Sequence, residues 1–322
     1  MKAAVLHELG KAPKYEEFGA PKAGDGEALI RVLAASLKPV DRQLAAGTHF
    51  ASPRELDLPL ICGTDGVGEL EDGTRVLFGG CAKPFGAMAD STVAPRAFCF
   101  PIPPELDEEA AAGLANPGVS AWLSLTECAK LAPGETVLIL GATGVTGQLA
   151  VQIAKLLGAS RVVGVGRNKH ILQRLRGLGA DATIQLDQAK DSLRAAYLGE
   201  VGASGFDVIL DYLWGEPTEA MLSAITKSEF AANTKEMRLI QVGESAGATI
   251  NLPAAVLRST RITLSGTGGI PSLQVLRNAI KRVFEHGALG ELRIETQRTA
   301  LAEIESVWNR ERAAGQRIIV IP

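Results

Sequence analysis

The sequence lacks several features that would mark a secreted, membrane-bound or nucleic-acid-binding protein. Its four cysteines are scattered and form no C-x-x-C pair, a pattern that favours neither a disulfide framework nor a zinc cage. No apolar run reaches the ~20 residues of a membrane span, and residues 1–8 turn polar too early for a signal peptide. A formal net charge of -3 indicates no basic surface for nucleic acid. We therefore expect a cytoplasmic protein with no nucleic-acid or membrane partner.

Aromatic residues are also sparse, at 5%, whereas glycine is abundant, with 35 residues in a chain of 322. Hydrophobic residues make up 46% and charged residues 21% of the chain, which is ordinary for a globular protein. The length suggests two domains, each large enough for its own core. Abundant glycine is typical of an α/β protein with many turns.

The most informative stretch runs from residue 135 to residue 168. Residues 136–140 form a short apolar run typical of a buried parallel strand, and a segment called here the glycine turn (141–147, Gly-Ala-Thr-Gly-Val-Thr-Gly) follows it directly. Apolar residues at helical spacing then lead to a second apolar run at 161–166. This order predicts a βαβ unit that places a pyrophosphate at the helix N-terminus. The alternative is a structural turn that binds nothing.

The end of the second strand indicates which nucleotide binds. Folds selective for NAD place an acidic residue there, which accepts hydrogen bonds from the ribose hydroxyls. Here the residues are Gly166-Arg167-Asn168-Lys169, with no acid and with a guanidinium that can bind a 2′-phosphate. We therefore expect NADPH as the cofactor, with Arg167 at its 2′-phosphate. The alternative is that Arg167 and Lys169 simply begin the next solvated helix.

The two halves of the chain differ in pattern. Residues 1–112 carry short strands broken by Gly, Pro and Asp, whereas strands alternate with helices after an alanine-rich segment that follows Asp107. The last apolar run, 317–321, has no helix after it, and we expect it to return to the first domain. The pattern predicts an α/β protein with a β-rich domain (1–112 and 268–322) and a doubly wound parallel sheet (113–267).

Five short motifs share their order with one known family. They are residues 36–41 (SLKPVD, similar to N-P-V-D), 62–68 (CGTDGVG, similar to G-x-E-x-x-G), 85–89 (FGAMA, similar to G-x-x-A-E), 116–122 (NPGVSAW, similar to the helix entry L-T-A), and the glycine turn followed by 150–155 (AVQIAK). Over essentially the whole chain they resemble the medium-chain dehydrogenase/reductases, specifically the zinc-free quinone oxidoreductase-like branch. This resemblance implies a GroES-like β-rich substrate domain joined to a Rossmann domain, with the active site in the cleft between them.

The resemblance also bears on zinc. Zinc-dependent relatives carry a Cys and a Gly-His-Glu at positions where this chain has Lys38 and Gly63-Thr64-Asp65. Neither an ammonium nor a threonine is a normal zinc ligand, and the Cys-rich lobe that holds structural zinc in those relatives is missing. We therefore expect no metal, and direct hydride transfer from NADPH to a quinone or an α,β-unsaturated carbonyl instead of alcohol oxidation.

The substrate pocket is expected at Lys38, Gln43, His49 and Phe50. By analogy of position, Lys38 is the candidate catalytic residue, because a buried ammonium can stabilise a developing oxyanion. The alternative for Lys38 is that it pairs with Asp41 or points to solvent. The alternative for His49 is that it lies in an exposed loop. Relatives have a Tyr where this chain has Gln43, so the aromatic edge that could stack on a flat quinone is missing.

For the cofactor, the resemblance implies contacts from Asn116, Thr143, Gly144, Val145, Arg167, Gly243, Gly266 and Thr267. Thr143, Gly144 and Val145 would bind the pyrophosphate, and Asn116 would approach the nicotinamide. The loops at Gly243 and at Gly266-Thr267 follow strand ends, where ligands bind in doubly wound sheets; the alternative is that they are glycine-rich connections. Relatives often pair the last Rossmann strand, here 261–265, across a two-fold axis, which implies a homodimer.

Together these observations predict an NADPH-dependent, zinc-independent oxidoreductase with a small-molecule substrate, a quinone or an α,β-unsaturated carbonyl. The nearest alternative is a 2-enoyl-thioester reductase. An alternative of a different class is an NADPH-binding protein without useful turnover, because an intact glycine turn fits both.

Overall fold

The computed structural model describes residues 1–52, 57–201, 205–226, 235–269, 272–310 and 315–322. The chain divides into two compact units: unit 1 is Met1–Asn116 with Ile280–Pro322, and unit 2 is Pro117–Ala279. The chain passes from unit 1 to unit 2 and back again, and both of these crossings lie inside helices, Glu108–Leu123 and Leu273–Ala288. The predicted boundaries, after residues 112 and 267, fall earlier in the chain, because a helix that continues through a boundary shows no break in its pattern.

The first part of unit 1 is rich in strands. They are β1 (Lys2–Leu6), β2 (Lys14–Glu17), β3 (Glu27–Leu37), β4 (Leu60–Ile61), β5 (Asp65–Glu69), β6 (Arg75–Gly79), β7 (Ser91–Pro95) and β8 (Cys99–Pro101). Helix α1 covers Pro39–Ala45, a 3-10 turn covers Arg96–Phe98, and helix α2 covers Glu108–Leu123 and leads into unit 2.

Unit 2 alternates strands and helices. After α2 and the π-helical turn Ser124–Cys128 come β9 (Thr136–Leu140), α3 (Val145–Leu156), β10 (Arg161–Gly166), α4 (Lys169–Leu175), β11 (Ala182–Gln185), α5 (Lys190–Val201), β12 (Val208–Asp211), α6 (Gly215–Ile225), β13 (Glu236–Gln241), α7 (Ala254–Ser259) and β14 (Arg261–Gly266). Helix α8 (Leu273–Ala288) returns to unit 1, which ends with β15 (Glu295–Ala300), α9 (Ile304–Trp308) and β16 (Gln316–Ile321).

The strands of unit 2 pair in parallel in the order β11-β10-β9-β12-β13-β14. Leu138, Ile139 and Leu140 of β9 are fully buried, as expected for a central strand covered on both faces. From β9 the chain first adds β10 and β11 on one side, and then returns to add β12, β13 and β14 on the other side, so the strand order reverses between β9 and β12. This topological switch point is where ligands bind in doubly wound sheets, at the carboxyl ends of the strands.

Strand β3 organises unit 1. It pairs with β5 and β7 from its own half of the chain and with β16 from the C-terminal end, through pairs such as Leu37 with Ile318. The predicted return of the last strand is therefore confirmed. So is the predicted fold class, a Rossmann doubly wound parallel sheet with a discontinuous GroES-like β-rich part. No helix within the described ranges is both long and apolar enough to cross a membrane.

Candidate functional site

Lys38 lies at the centre of a buried ionic cluster in unit 1, between the end of β3 and the start of α1. Its side chain is 0% exposed, and Nζ lies 3.2 Å from Oδ2 of Asp41. Nζ also donates to Oδ1 of Asp65 and to the carbonyl oxygen of Ser36, each at 3.1 Å. A third, longer hydrogen bond from Nζ goes to Oγ of Ser36 at 3.4 Å, so that all three donors of the ammonium have acceptors, while Asp41 pairs with it through charge. The cluster thus engages Lys38 completely.

The neighbouring carboxylates keep the side chain of Lys38 positively charged. Burial alone would lower the pKa of Lys38, but the carboxylates of Asp41 and Asp65 outweigh burial, so its pKa is raised. The ammonium therefore stays protonated at neutral pH. This geometry corresponds to the alternative interpretation of Lys38, pairing with Asp41. Its predicted role in polarising a substrate carbonyl stays a prediction.

Asp41 is saturated with hydrogen bonds. Its Oδ2 accepts the backbone N–H of Lys38 at 2.8 Å, an interaction that caps the start of α1. Its Oδ1 accepts both the backbone N–H and the hydroxyl of Thr64, each at 3.0 Å. Together with the ammonium of Lys38, these donors leave neither oxygen of the carboxylate unsatisfied.

A cavity of about 360 Å³ lies in unit 1 beside this cluster, with Asp41 and Thr64 in its wall. Helix α1 adds Leu44 and Ala45 to the wall. The remaining lining comes from β1, from the segment around β4, and from the segment after β6. It includes Leu6, Leu60, Ile61, Phe85, the thiols of Cys62 and Cys81, and Lys83. The cavity is mostly apolar, as small-molecule sites usually are.

The predicted pocket residues are not among the residues that line this cavity. Gln43 is exposed on α1, and Phe50 is 96% exposed with its ring 4.4 Å from the ring of His49, measured between centroids. Lys38 pairs with Asp41, which does line the cavity. Their assignment to a substrate pocket stays a prediction. Sequence reasoning missed the segment that contains Cys81 and Lys83, because it carries no motif and reaches the cavity only through the pairing of β6.

In unit 2 the glycine turn joins β9 to α3, as predicted. A Cβ at Gly147 would overlap the carbonyl oxygen of Gly141 and lie 2.6 Å from Cα of Ala142, so only glycine fits. Gly144 is the N-cap of α3, which begins at Val145. The first N–H groups of a helix have no partner within the helix and can bind an anion. Thr143, Gly144 and Val145 therefore lie in this turn and at the start of α3, and their contact with a pyrophosphate stays a prediction.

Arg167 lies next to this turn. A Cβ at Gly166 would overlap Cγ2 of Thr143 and lie 2.6 Å from its Oγ1, so the end of β10 touches the glycine turn. Asn168 caps α4 by accepting the N–H of Ile171 at 3.1 Å, and the helix begins at Lys169. Arg167 precedes this cap. Its exposed guanidinium makes no hydrogen bond or ion pair with the residues that the structure describes.

The remaining predicted cofactor residues divide between the units. Gly243 follows β13 and donates its N–H to the carbonyl oxygen of Asp211 at 3.1 Å. Gly266 ends β14, and half-buried Thr267 follows it. These three residues lie at the carboxyl edge of the sheet, as the glycine turn does. Asn116, by contrast, is exposed on α2 at the end of the first segment of unit 1.

Sequence reasoning missed the segment after β12. The buried carboxylate of Asp211 accepts the N–H groups of Leu213 at 2.8 Å and Trp214 at 2.9 Å. Burial raises the pKa of Asp211, although these hydrogen bonds oppose the shift. The resulting turn holds Tyr212 and Leu213 against Gly141, where an added Cβ would lie 3.2 Å from Cβ of Tyr212. This contact lies at the switch point, between the carboxyl ends of β9 and β12.

Comparisons with known proteins agree with this architecture. The family described as zinc-binding dehydrogenase matches residues 145–284. The chain is 26% identical to the probable NADPH-dependent quinone reductase tdiC of Emericella nidulans, over 96% of each chain. It is 31% identical to the quinone oxidoreductase of Sus scrofa, over 65% of this chain and 68% of that protein.

A solved structure extends the similarity to the whole fold. The quinone oxidoreductase from Thermus thermophilus, whose complex with NADPH is also known, superposes with a TM-score of 0.79 at 26% identity, over 100% of both chains. A doubly wound sheet with this glycine turn, joined to a discontinuous β-rich unit, defines a medium-chain dehydrogenase/reductase. The chain belongs to the quinone oxidoreductase-like branch of that superfamily.

Proposed function

We propose that this chain is an NADPH-dependent, zinc-independent oxidoreductase that reduces a quinone or an α,β-unsaturated carbonyl compound. The observation that carries the proposal is the unpaired guanidinium of Arg167 beside the glycine turn, with no partner among the residues that the structure describes. Two relatives support the same class of reaction: one is named a probable NADPH-dependent quinone reductase and the other a quinone oxidoreductase. When bound, NADPH would supply the hydride.

The residues of unit 2 fit a dinucleotide. The turn at Gly147 leaves no room for a side chain, so the backbone can approach a pyrophosphate closely. The free N–H groups at the start of α3 would bind the pyrophosphate, with Thr143 and Val145 beside it. Arg167 would form charge-assisted hydrogen bonds with a 2′-phosphate. Asn116, Gly243, Gly266 and Thr267 remain proposed contacts of the same cofactor.

Zinc independence is proposed from the residues at the two zinc-ligand positions of related enzymes. Lys38 brings a positive charge of its own to the buried cluster with Asp41 and Asp65. Thr64 donates its hydroxyl to Asp41. We therefore propose that Lys38 is a fixed cation that holds the two carboxylates together.

We also propose that the protein is a homodimer. Strand β14 is the last strand in the order of the parallel sheet and pairs only with β13 among the described strands. An exposed strand edge of this kind is usually covered, and pairing with a second copy of β14 would cover it.

Replacing Arg167 with Ala is expected to weaken NADPH binding about tenfold to hundredfold, because a charge-assisted contact to the 2′-phosphate is lost. Binding of NADH, which has no 2′-phosphate, should stay within about twofold. Isothermal titration of both nucleotides measures the two effects. Lys169→Ala is the matched control, since it removes a neighbouring positive charge from the start of α4. Equal losses for both nucleotides, or an equal effect of Lys169→Ala, would contradict the role of Arg167.

A further inference from the structure

Among the residues that the structure describes, two charged ones line the cavity in unit 1, Asp41 and Lys83, and of these two only Asp41 has its charge compensated. Asp41 pairs with Lys38 and accepts three further hydrogen bonds. Arg317, which is also buried and close enough to lower the pKa of Lys38, adds a second positive charge near the two carboxylates, Asp41 and Asp65. The cluster therefore contributes little net charge to the cavity.

The thiols in the cavity wall add no negative charge either. Burial raises the pKa of Cys62, and the carboxylate of Asp41 raises it further. Burial also raises the pKa of Cys81. Both thiols are therefore neutral at neutral pH, and neither competes with a ligand for a cation.

Among the described residues that line the cavity, Lys83 is a cation whose charge no acidic side chain compensates. It is exposed, it lines the cavity, and its ammonium has no hydrogen bond or ion pair with the part of the chain that the structure describes. The neighbouring wall is apolar, with Leu44, Leu60 and Phe85. Apolar walls with one accessible ammonium suit a ligand that has an apolar body and one anionic oxygen group.

We propose that Lys83 selects substrates that carry a carboxylate, so that the cavity takes a small conjugated ketone with a carboxylate, an oxo-enoate. The reaction of such a substrate, though not its binding, rests on the proposed reductase function. A hydride would add to the alkene carbon β to the ketone, and a proton from water would add to the α carbon. The π bond is replaced by two C–H bonds, NADPH is oxidised to NADP⁺, and the ketone and carboxylate are unchanged.

Binding tests the proposal without any turnover. The probes are 4-oxopentanoate, which is the saturated product of 4-oxo-2-pentenoate, and its uncharged methyl ester, titrated by ligand-observed NMR. We expect the protein to bind the acid about tenfold more tightly than the ester, because one charge-assisted hydrogen bond distinguishes them. Lys83→Met, which keeps an aliphatic side chain, should remove this preference and leave the affinity for the ester unchanged.

The control variant is Lys22→Met, which removes another exposed lysine of unit 1 that does not line the cavity. Lys22→Met should keep the tenfold preference. Equal binding of acid and ester by the unsubstituted protein, or a preference that survives Lys83→Met, would overturn the proposal. Preference for the acid without reduction of 4-oxo-2-pentenoate by NADPH would support the role of Lys83 and count against the reductase function.

Discussion

Replacing Lys38 with methionine is expected to lower the free energy of unfolding of unit 1 by about 3–5 kcal/mol. The substitution leaves the carboxylates of Asp41 and Asp65 close together without their cation, and the Asp41 side chain is 0% exposed. The pKa of Lys38 is raised above its ordinary value of 10.5, so the ammonium stabilises the fold at every pH below that value. This contribution should disappear only as the pH rises through the folded-state pKa.

The measurement is native-state hydrogen exchange of β3 amides, which reports unit 1 separately from unit 2. Lys2→Met is the matched control, since it breaks an exposed ion pair with Glu17 whose side chains are 44% and 83% exposed. Exposed pairs contribute about 0–1 kcal/mol. A loss from Lys38→Met as small as the loss from Lys2→Met would show that the buried cluster does not stabilise unit 1.

Replacing Gly147 with alanine is expected to reduce NADPH affinity by at least about tenfold and to destabilise unit 2. The new Cβ would overlap the carbonyl oxygen of Gly141, a backbone atom that no change of side-chain rotamer can move aside. The glycine turn would have to shift away from the start of α3, where the pyrophosphate is proposed to bind. Nucleotide titration and thermal unfolding measure the two effects.

Gly177→Ala is the control for this substitution. Nothing lies within 4 Å of an added Cβ at Gly177, and its backbone is not left-handed. Both properties of the protein should therefore be close to unchanged in Gly177→Ala. Tight NADPH binding by a folded Gly147→Ala variant would remove the glycine turn from the binding site.

Much of the fold could be predicted because its signals are local. The apolar runs at 136–140 and 161–166 correspond to β9 and β10, and the glycine turn lies between β9 and α3. The last apolar run, which becomes β16, could be assigned to unit 1 because no helix follows it. The crossings between the units were harder to predict, because α2 and α8 continue through them without a break.

The candidate site was harder to predict from the sequence than the fold. The pairing of Lys38 with Asp41 could be anticipated, since they are three residues apart at the start of a helix. Its second partner, Asp65, is 27 residues away in sequence and is brought close only by the pairing of β5 with β3. The cavity draws its lining from Leu6, Leu60 and Lys83, whose proximity follows from strand pairing and not from any local pattern.

The measurement that tests the central claim most directly is the oxidation of NADPH and NADH by chelator-treated protein. The acceptors are a 1,4-benzoquinone, a 9,10-phenanthrenequinone, an acyclic enone and a crotonyl thioester. We predict turnover with NADPH, faster than with NADH, on a quinone or on the enone, and no loss of rate after chelation. Activity confined to the thioester would favour the enoyl-thioester reductase. Loss of activity after the chelator treatment would contradict the proposed function. So would a protein that binds NADPH tightly but oxidises none of it with any acceptor.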